Sequence, residues 1–317
     1  MNMLYFVIQH TMFFAIPLMI VALGGLFSEK SGVLNIALEG KMVLGAFIGT
    51  FIISNFQEQI PGHAILFIAL LAAMLIGVLV SLLHAYASIN LKANQTISGI
   101  AINMFAPAFA IYFSRTIHGS QSIHFQNQFR IDHVPGLGSI PIIGPSLFQN
   151  TYVTTFLGFG LLALGAFVLY KTKFGLRLRA CGEHPGAADS VGINVAKIRY
   201  AGVMISGALA GMGGLIFIIP ISAVFDGSVS GYGFLALAVL IFGGWNPVKI
   251  VLAALFFGSL QAIAASYAAI DFLRDLDLPA HFYRMLPYIA TLILLAITSK
   301  ETTGPKALGQ PYDKGTR

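Results

Sequence analysis

Residues 63–90 read HAILFIALLAAMLIGVLVSLLHAYASIN, a run without one Asp, Glu, Lys or Arg. Crossing a bilayer as a helix takes roughly 20 consecutive apolar residues, and this run is long enough to do so with room to tilt. Working outward, similar stretches recur at 4–27, 42–56, 96–113, 152–170, 200–220, 232–244, 249–270 and 281–298. Only 9% of the 317 residues are charged and 57% are hydrophobic, with a mean hydropathy of +0.83. Soluble domains carry about 25% charged residues, so a water-soluble fold would have nowhere to hide this hydrocarbon. The reading is an all-α, polytopic helical membrane protein with about eight to ten transmembrane helices, one domain over residues 1–300. A tail over 301–317, with Gly304, Pro305, Gly309, Pro311 and Gly315, reads as flexible and solvated.

No Lys or Arg precedes Lys30, and the apolar stretch after Met3 is long enough to span, so it reads as a retained first helix rather than a signal peptide. Stretches 42–56 and 232–244 are short for a crossing, and Gly40 and Pro247 lie beside them. Short or broken helices are where transporters place the solute path, because half-helix ends leave backbone groups free to meet a polar solute.

Loop charge sets the orientation. Residues 171–199 carry Lys171, Lys173, Arg177, Arg179, Lys197 and Arg199 against Glu183 and Asp189, whereas the loop 114–150 has Arg115, Arg130 and Asp132. The first is assigned to the cytoplasm and the second to the outside. Counting spans from there puts Lys92, Lys249 and the tail from Lys300 inside, and the acidic stretch from Asp271 to Asp277 outside. The same rule accounts for the net charge of +6, so nucleic acid is not an expected partner. The single Cys181 excludes an internal disulfide and a cysteine-built zinc site. In the outer loop, Pro135, Gly136, Gly138, Pro141, Gly144 and Pro145 mark successive turns rather than a second domain.

The cytoplasmic run Gly182-Glu183-His184-Pro185-Gly186-Ala187-Ala188-Asp189-Ser190-Val191-Gly192-Ile193 predicts about two turns of helix. Pro185 suits the first position, because its missing amide hydrogen would be unpaired there, and Gly192 suits the left-handed residue past the end. The small residues Gly186, Ala187 and Ala188 would allow another protein to dock closely; the spacing alone fits a solvated connector equally well.

At this point the chain resembles a known family. The run Ser31-Gly32-Val33-Leu34-Asn35-Ile36-Ala37-Leu38-Glu39-Gly40 followed by Gly45-Ala46, and Phe174-Gly175-Leu176-Arg177-Leu178-Arg179-Ala180 leading into residues 182–188, resemble the sugar and nucleoside branch of the bacterial ABC importer permeases. That branch is related to ribose and branched-chain amino acid permeases, and the likeness is nearest to the nucleoside-uptake permeases. It covers nearly the whole chain, with both motifs in the family's order. It implies a permease pair in the inner membrane, a cytoplasmic ATP-binding subunit and an external solute-binding protein, with a second permease that is a paralogue. It also implies an ATPase-coupling helix at about Glu183, His184, Pro185, Gly186, Ala187, Ala188 and Asp189. The sequence has no Gly-x-x-x-x-Gly-Lys-Ser/Thr loop. ATP and magnesium are therefore expected on the partner, and no cofactor on this chain.

Polar residues near the short helices are the candidates for the translocation path: Asn35 and Glu39, four apart and on one face if helical, and Asn94, Gln95 and Asn103. Glu39 would face a cavity, pair with Lys30 or Lys41, or lie at the interface, whereas Glu29, Lys30 and Lys41 read as an interfacial charge cluster. Asn94, Gln95, Thr96, Ser98 and Asn103 would either cap a helix or present amide groups to a solute. Gly202, Ser206, Ala210 and Gly214 recur every four residues, and Gly207 with Gly211 adds a Gly-x-x-x-Gly. This stripe fits helix packing, within the chain or at a permease–permease seam. Phe225 and Asp226 stand between two spans as a loop turn or near the solute entrance.

His118, His124 and His133 lack ligand spacing, so no metal site is expected. No nucleophile elbow or His-Glu-x-x-His helix occurs, so the chain reads as a transport subunit and not an enzyme. The solute within that reading is a nucleoside, with a simple sugar or riboflavin-like molecule as alternatives. An ion-coupled secondary transporter is the rival class; it would need ionisable groups within the spans to bind its ion.

Overall fold

A computed structural model describes residues 3–276, 278–298 and 304–314. Asp277, Lys300 and the tail's 301–303 and 315–317, to which the sequence assigned sides of the membrane, lie outside the described residues. The chain runs through α1 (Met3–Lys30), α2 (Leu38–Phe56), α3 (His63–Ala85, extended by a π-turn at Tyr86–Asn90) and α4 (Gln95–His118). After the outer loop come α5 (Val153–Lys171), α6 (Lys173–Glu183), α7 (Pro185–Ser190) and α8 (Val195–Ile221). The last part holds α9 (Tyr232–Phe242), α10 (Pro247–Ser266), α11 (Asp271–Arg274) and α12 (Ala280–Thr298).

Six described helices are long and apolar enough to cross a membrane: α1, α3 with its π-turn, α4, α5, α8 and α10 with the turn after it. The remaining sequence-predicted stretches fold as α2, α9 and α12. An 11-residue α9 rises only about 16 Å at 1.5 Å per residue, so it spans half of a hydrocarbon core of about 30 Å.

Helices α1 and α8 form the centre. Residues 14–29 of α1 are buried without interruption, the signature of a helix that is apolar all round because it is enclosed by others. Helix α3 shows the opposite case. It turns Leu66, Ala69, Ala73, Gly77 and Ser81 inward, while Leu71, Leu75, Leu79 and Leu83 form an exposed leucine stripe suited to lipid tails.

The small residues of α8 let its neighbours approach to backbone contact. A Cβ on Gly207 would stand 2.0 Å from Ser81 Oγ and 2.3 Å from Gly77 O of α3, and one on Gly211 would be 2.2 Å from Ala73 O. On other faces, Gly214 meets Met42 O of α2 at 2.0 Å and Gly202 meets Phe27 O of α1 at 2.9 Å. Ser206 and Ala210 are also fully enclosed. The whole stripe is therefore used inside the chain.

The loop between α4 and α5 takes part in two small ladders, one of them with the turn after α8, that its turn residues do not predict. β1 (Ile123–His124) pairs antiparallel with β4 (Val224–Phe225), and β2 (Arg130–His133) pairs with β3 (Gln149–Tyr152) in the register Arg130 to Tyr152. Strands this short carry no periodicity to read. Phe125, Phe129 and Phe225 anchor the loop in the core, and Asn127 Nδ2 donates to Ile219 O at 2.6 Å. Phe225 and Asp226 thus belong to a packed turn, where Asp226 O accepts from Gln121 Nε2.

The tail departs from expectation. Residues 304–314 are not free in solvent but docked against the ends of α1 and α6, with Pro305 and Ala307 buried. Ala307 N donates to Gly182 O at 2.9 Å and Gly309 N to Gly32 O at 3.1 Å. Glycine and proline mark turns, and here they allow a short segment to follow the surface tightly rather than leave it.

Candidate functional site: the break between α1 and α2 and the short helix α7

Between α1 and α2 the chain leaves helical geometry over residues 31–37. Gly32, at φ +93°, makes the reversal, which a Cβ would oppose because it would also lie 2.8 Å from Arg199 Nη2. Ser28 Oγ donates to Val33 O at 2.8 Å and Ser31 Oγ to Ser28 O at 2.6 Å, closing the turn.

Non-helical backbone inside a membrane protein needs partners other than itself, and the polar residues singled out in the sequence provide them. Gln95 Oε1 accepts the amide of Leu34 at 2.7 Å. Asn103 Oδ1 accepts the amide of Gly40 at 2.8 Å while its Nδ2 donates to Ile36 O at 2.9 Å. Asn35 Nδ2 donates to Ser206 Oγ at 2.7 Å, and Asn35 Oδ1 accepts from Lys41 Nζ at 2.8 Å. His84 completes the set: one ring nitrogen lies 3.0 Å from Leu34 O and the other 3.0 Å from Ser98 Oγ. The neutral tautomer that donates to the carbonyl and accepts from the hydroxyl fits both contacts.

Glu39 joins the two short helices. Its Oε1 accepts the amide of Gly231 at 2.9 Å and its Oε2 that of Gly233 at 2.6 Å. These are the first amides of α9, which have no partner within their own helix, and a carboxylate there also opposes the positive end of the helix dipole. Glu39 thus spends its carboxylate on these amides and forms no ion pair with Lys30 or Lys41 among the described residues.

Asn35, Glu39, Gln95 and Asn103 converge on this break. Asn94 does not: it is exposed and caps α4, accepting from Thr96 N and Ile97 N at 2.9 and 3.2 Å. Two members of the expected interfacial charge cluster are also placed differently. Lys41 is fully enclosed, with Asn35 as its hydrogen-bond acceptor and no carboxylate within ion-pair distance among the described residues. Glu29 is buried and accepts from Trp245 Nε1 at 2.6 Å. Interior side chains compensate these charges, which is why position relative to the apolar runs misplaces them. His84 and Trp245 were not anticipated, and Ser206 only as a helix-packing residue; the only signal for Trp245 was a lone tryptophan next to a short apolar stretch.

The run predicted as a coupling helix folds as α7. Pro185 occupies its first turn, and Gly192 follows its end at φ +83°, as the spacing predicts. Glu183 closes α6 and His184 is the exposed hinge between the two helices. Gly186 and Ala187 face outward, and a Cβ on Gly186 would meet nothing within 4 Å. Ala188 turns the other way, packing with Cys181 and Val195, so it seats the helix instead of offering a docking face. Asp189 binds Lys314 Nζ at 3.0 Å. Burial pushes the Cys181 thiol up to about 11 against a smaller opposing pull from Arg199.

The family model described as branched-chain amino acid transport system / permease component matches residues 7–296. The chain is 43% identical to the guanosine ABC transporter permease protein NupQ of Bacillus subtilis (strain 168), over 100% of this chain and 99% of that protein. It is 38% identical to the nucleoside ABC transporter permease protein NupC of Lactococcus lactis subsp. cremoris, over 99% and 98%. A second guanosine ABC transporter permease protein of the same Bacillus subtilis strain, NupP, is 28% identical over 77% of this chain and 70% of its own length. No solved structure matches. Together with its apolar helices, these likenesses make the chain a multi-pass membrane transport subunit of the bacterial inner membrane: it belongs to the branched-chain amino acid transport system / permease component family.

Proposed function

We propose that this chain forms one half of the membrane path of an ATP-driven nucleoside importer. Its full-length likeness to the guanosine permease NupQ, at 43% identity over 100% of the chain, carries the reading. A cytoplasmic ATP-binding subunit holds ATP and magnesium, an external binding protein delivers the solute, and this chain has no hydrolytic site of its own. Two different permease relatives in one Bacillus subtilis strain favour a core built from this chain and a paralogue.

In this proposal the solute passes beside the break between α1 and α2. Gln95 and Asn103 hold the backbone of the break, Asn35 ties it to Ser206 and Lys41, and Glu39 caps α9, so that together they shape the wall, whereas Asn94 stands at its cytoplasmic mouth. Gly186 and Ala187 present the outer face of α7 to the ATPase, and the hinge at His184 passes its motion into α6. Alternating access follows if nucleotide binding favours one of the two arrangements of this half-helix pair.

Affinity purification of the tagged chain in mild detergent tests the assembly. Recovery of an ATP-binding subunit with a second permease supports the importer. Recovery of the chain alone, active in vesicles without ATP, would replace it with a secondary transporter.

A further inference from the structure

The inner end of the domain holds five separately folded pieces: the close of α1 with Gly32, the loop at Lys92, the end of α6, α7, and the start of α8. Residues 304–314 touch all of them. Ala307 N donates to Gly182 O at the end of α6, and Gly309 N to Gly32 O at the reversal between α1 and α2. Arg199 Nη1 of α8 donates to Gln310 O at 3.0 Å. Lys314 reaches Asp189 of α7 at 3.0 Å, and Asp313 reaches Lys92. At its other end, Gly304 lies against the ring of Trp245, where a Cβ would be 3.1 Å from the indole, and that indole holds Glu29.

The hold is uneven in a way that suits a moving part. Arg199 is 1% exposed, yet its Nε and Nη2 have no hydrogen-bond partner among the described residues. A buried guanidinium with unmet donors is unfavourable, and lifting the strap would return it to water. Against that stand the burial of Pro305 and Ala307 and two ion pairs whose lysines are well exposed and individually weak. Contributions of opposite sign thus act on the docked strap, as a two-state element requires.

We infer that residues 304–314 are a coupling strap, tying the movement of α7 to the Gly32 reversal and hence to the break between α1 and α2. The inference rests on the proposed docking of an ATPase on α7. The strap lies beyond residues 7–296, which the family model matches.

The test uses the complete importer in membranes, with two variants: a chain ending at Thr303, and Ala307→Asp in the full-length chain. Both are expected to retain the co-purifying ATPase and its basal hydrolysis, while labelled guanosine imported per ATP hydrolysed falls at least tenfold. Alkylation of Cys181, which packs beneath α7, should become faster in both. Unchanged import per ATP, within twofold, in either inserted variant would overturn the strap. Loss of the ATPase from both would also overturn it, because residues 304–314 would then serve assembly rather than coupling. Failure of the unaltered chain to bring down any ATPase refutes the importer reading, and the strap falls with it.

Discussion

Glu39 and Gly233, 194 residues apart in sequence, meet at 2.6 Å, the carboxylate of one accepting the amide of the other. This bond fastens the start of α2 to the start of α9, a helix too short to span alone. Replacing Glu39 with Gln substitutes an amide donor for one of two carboxylate oxygens and leaves an α9 amide unpaired. We expect a loss of about 1–3 kcal/mol of stability, read as a lower unfolding temperature in detergent, together with reduced uptake. Unchanged stability would separate Glu39 from the α9 cap.

Close helix contact predicts which glycines tolerate a methyl group. Gly214→Ala puts a Cβ 2.0 Å from Met42 O, backbone that cannot turn away, and overpacking of this kind costs about 1–3 kcal/mol or more. Gly186→Ala meets nothing within 4 Å and should leave folding unchanged. Fluorescence size-exclusion of tagged variants distinguishes them: Gly214→Ala should lose most of its monodisperse peak.

The two alanines of α7 predict different failures. Ala187→Arg faces outward and should leave a well-folded chain that no longer recovers the ATPase. Ala188→Arg faces Cys181 and Val195 and should unseat the helix, exposing Cys181 to maleimide. Equal behaviour of the two would contradict the facing of the helix.

Cys181 itself should be slow to react. The nucleophile is the thiolate, and with the thiol pushed up to about 11 by burial almost none is present at neutral pH. Alkylation of the native chain should rise with pH, by about tenfold per unit below that value, and jump on denaturation. Fast labelling at neutral pH would show that α7 does not cover it.

Much of this architecture is legible in the sequence because apolar length is a direct physical requirement of the bilayer. Residues 63–90, 232–244 and 281–298 anticipate α3 with its π-turn, α9 and α12, and Pro185 with Gly192 delimits α7. The candidate site was legible in its residues but not in its connections. Asn35, Gln95 and Asn103 have the right chemistry for either a solute or a strained backbone, and only the fold shows that Gln95 and Asn103 bond the backbone of residues 34–40 while Asn35 bonds Ser206 and Lys41. Lys41 and Glu29 were assigned to an interface because their local neighbours are charged, whereas Asn35 and Trp245, the latter 216 residues from Glu29, let them be buried. The docked strap was illegible for a similar reason: each of its contacts joins residues remote in sequence, and glycine and proline alone predict only that a helix will not form.

The most direct test of the nucleoside-importer reading is uptake of labelled guanosine by cells that carry the complete transporter, with and without this chain, and with a partner ATPase unable to hydrolyse ATP. The account predicts accumulation that requires both the chain and hydrolysis and that unlabelled nucleosides, but not glucose, suppress. Accumulation that persists without hydrolysis, or that glucose alone suppresses, would contradict it.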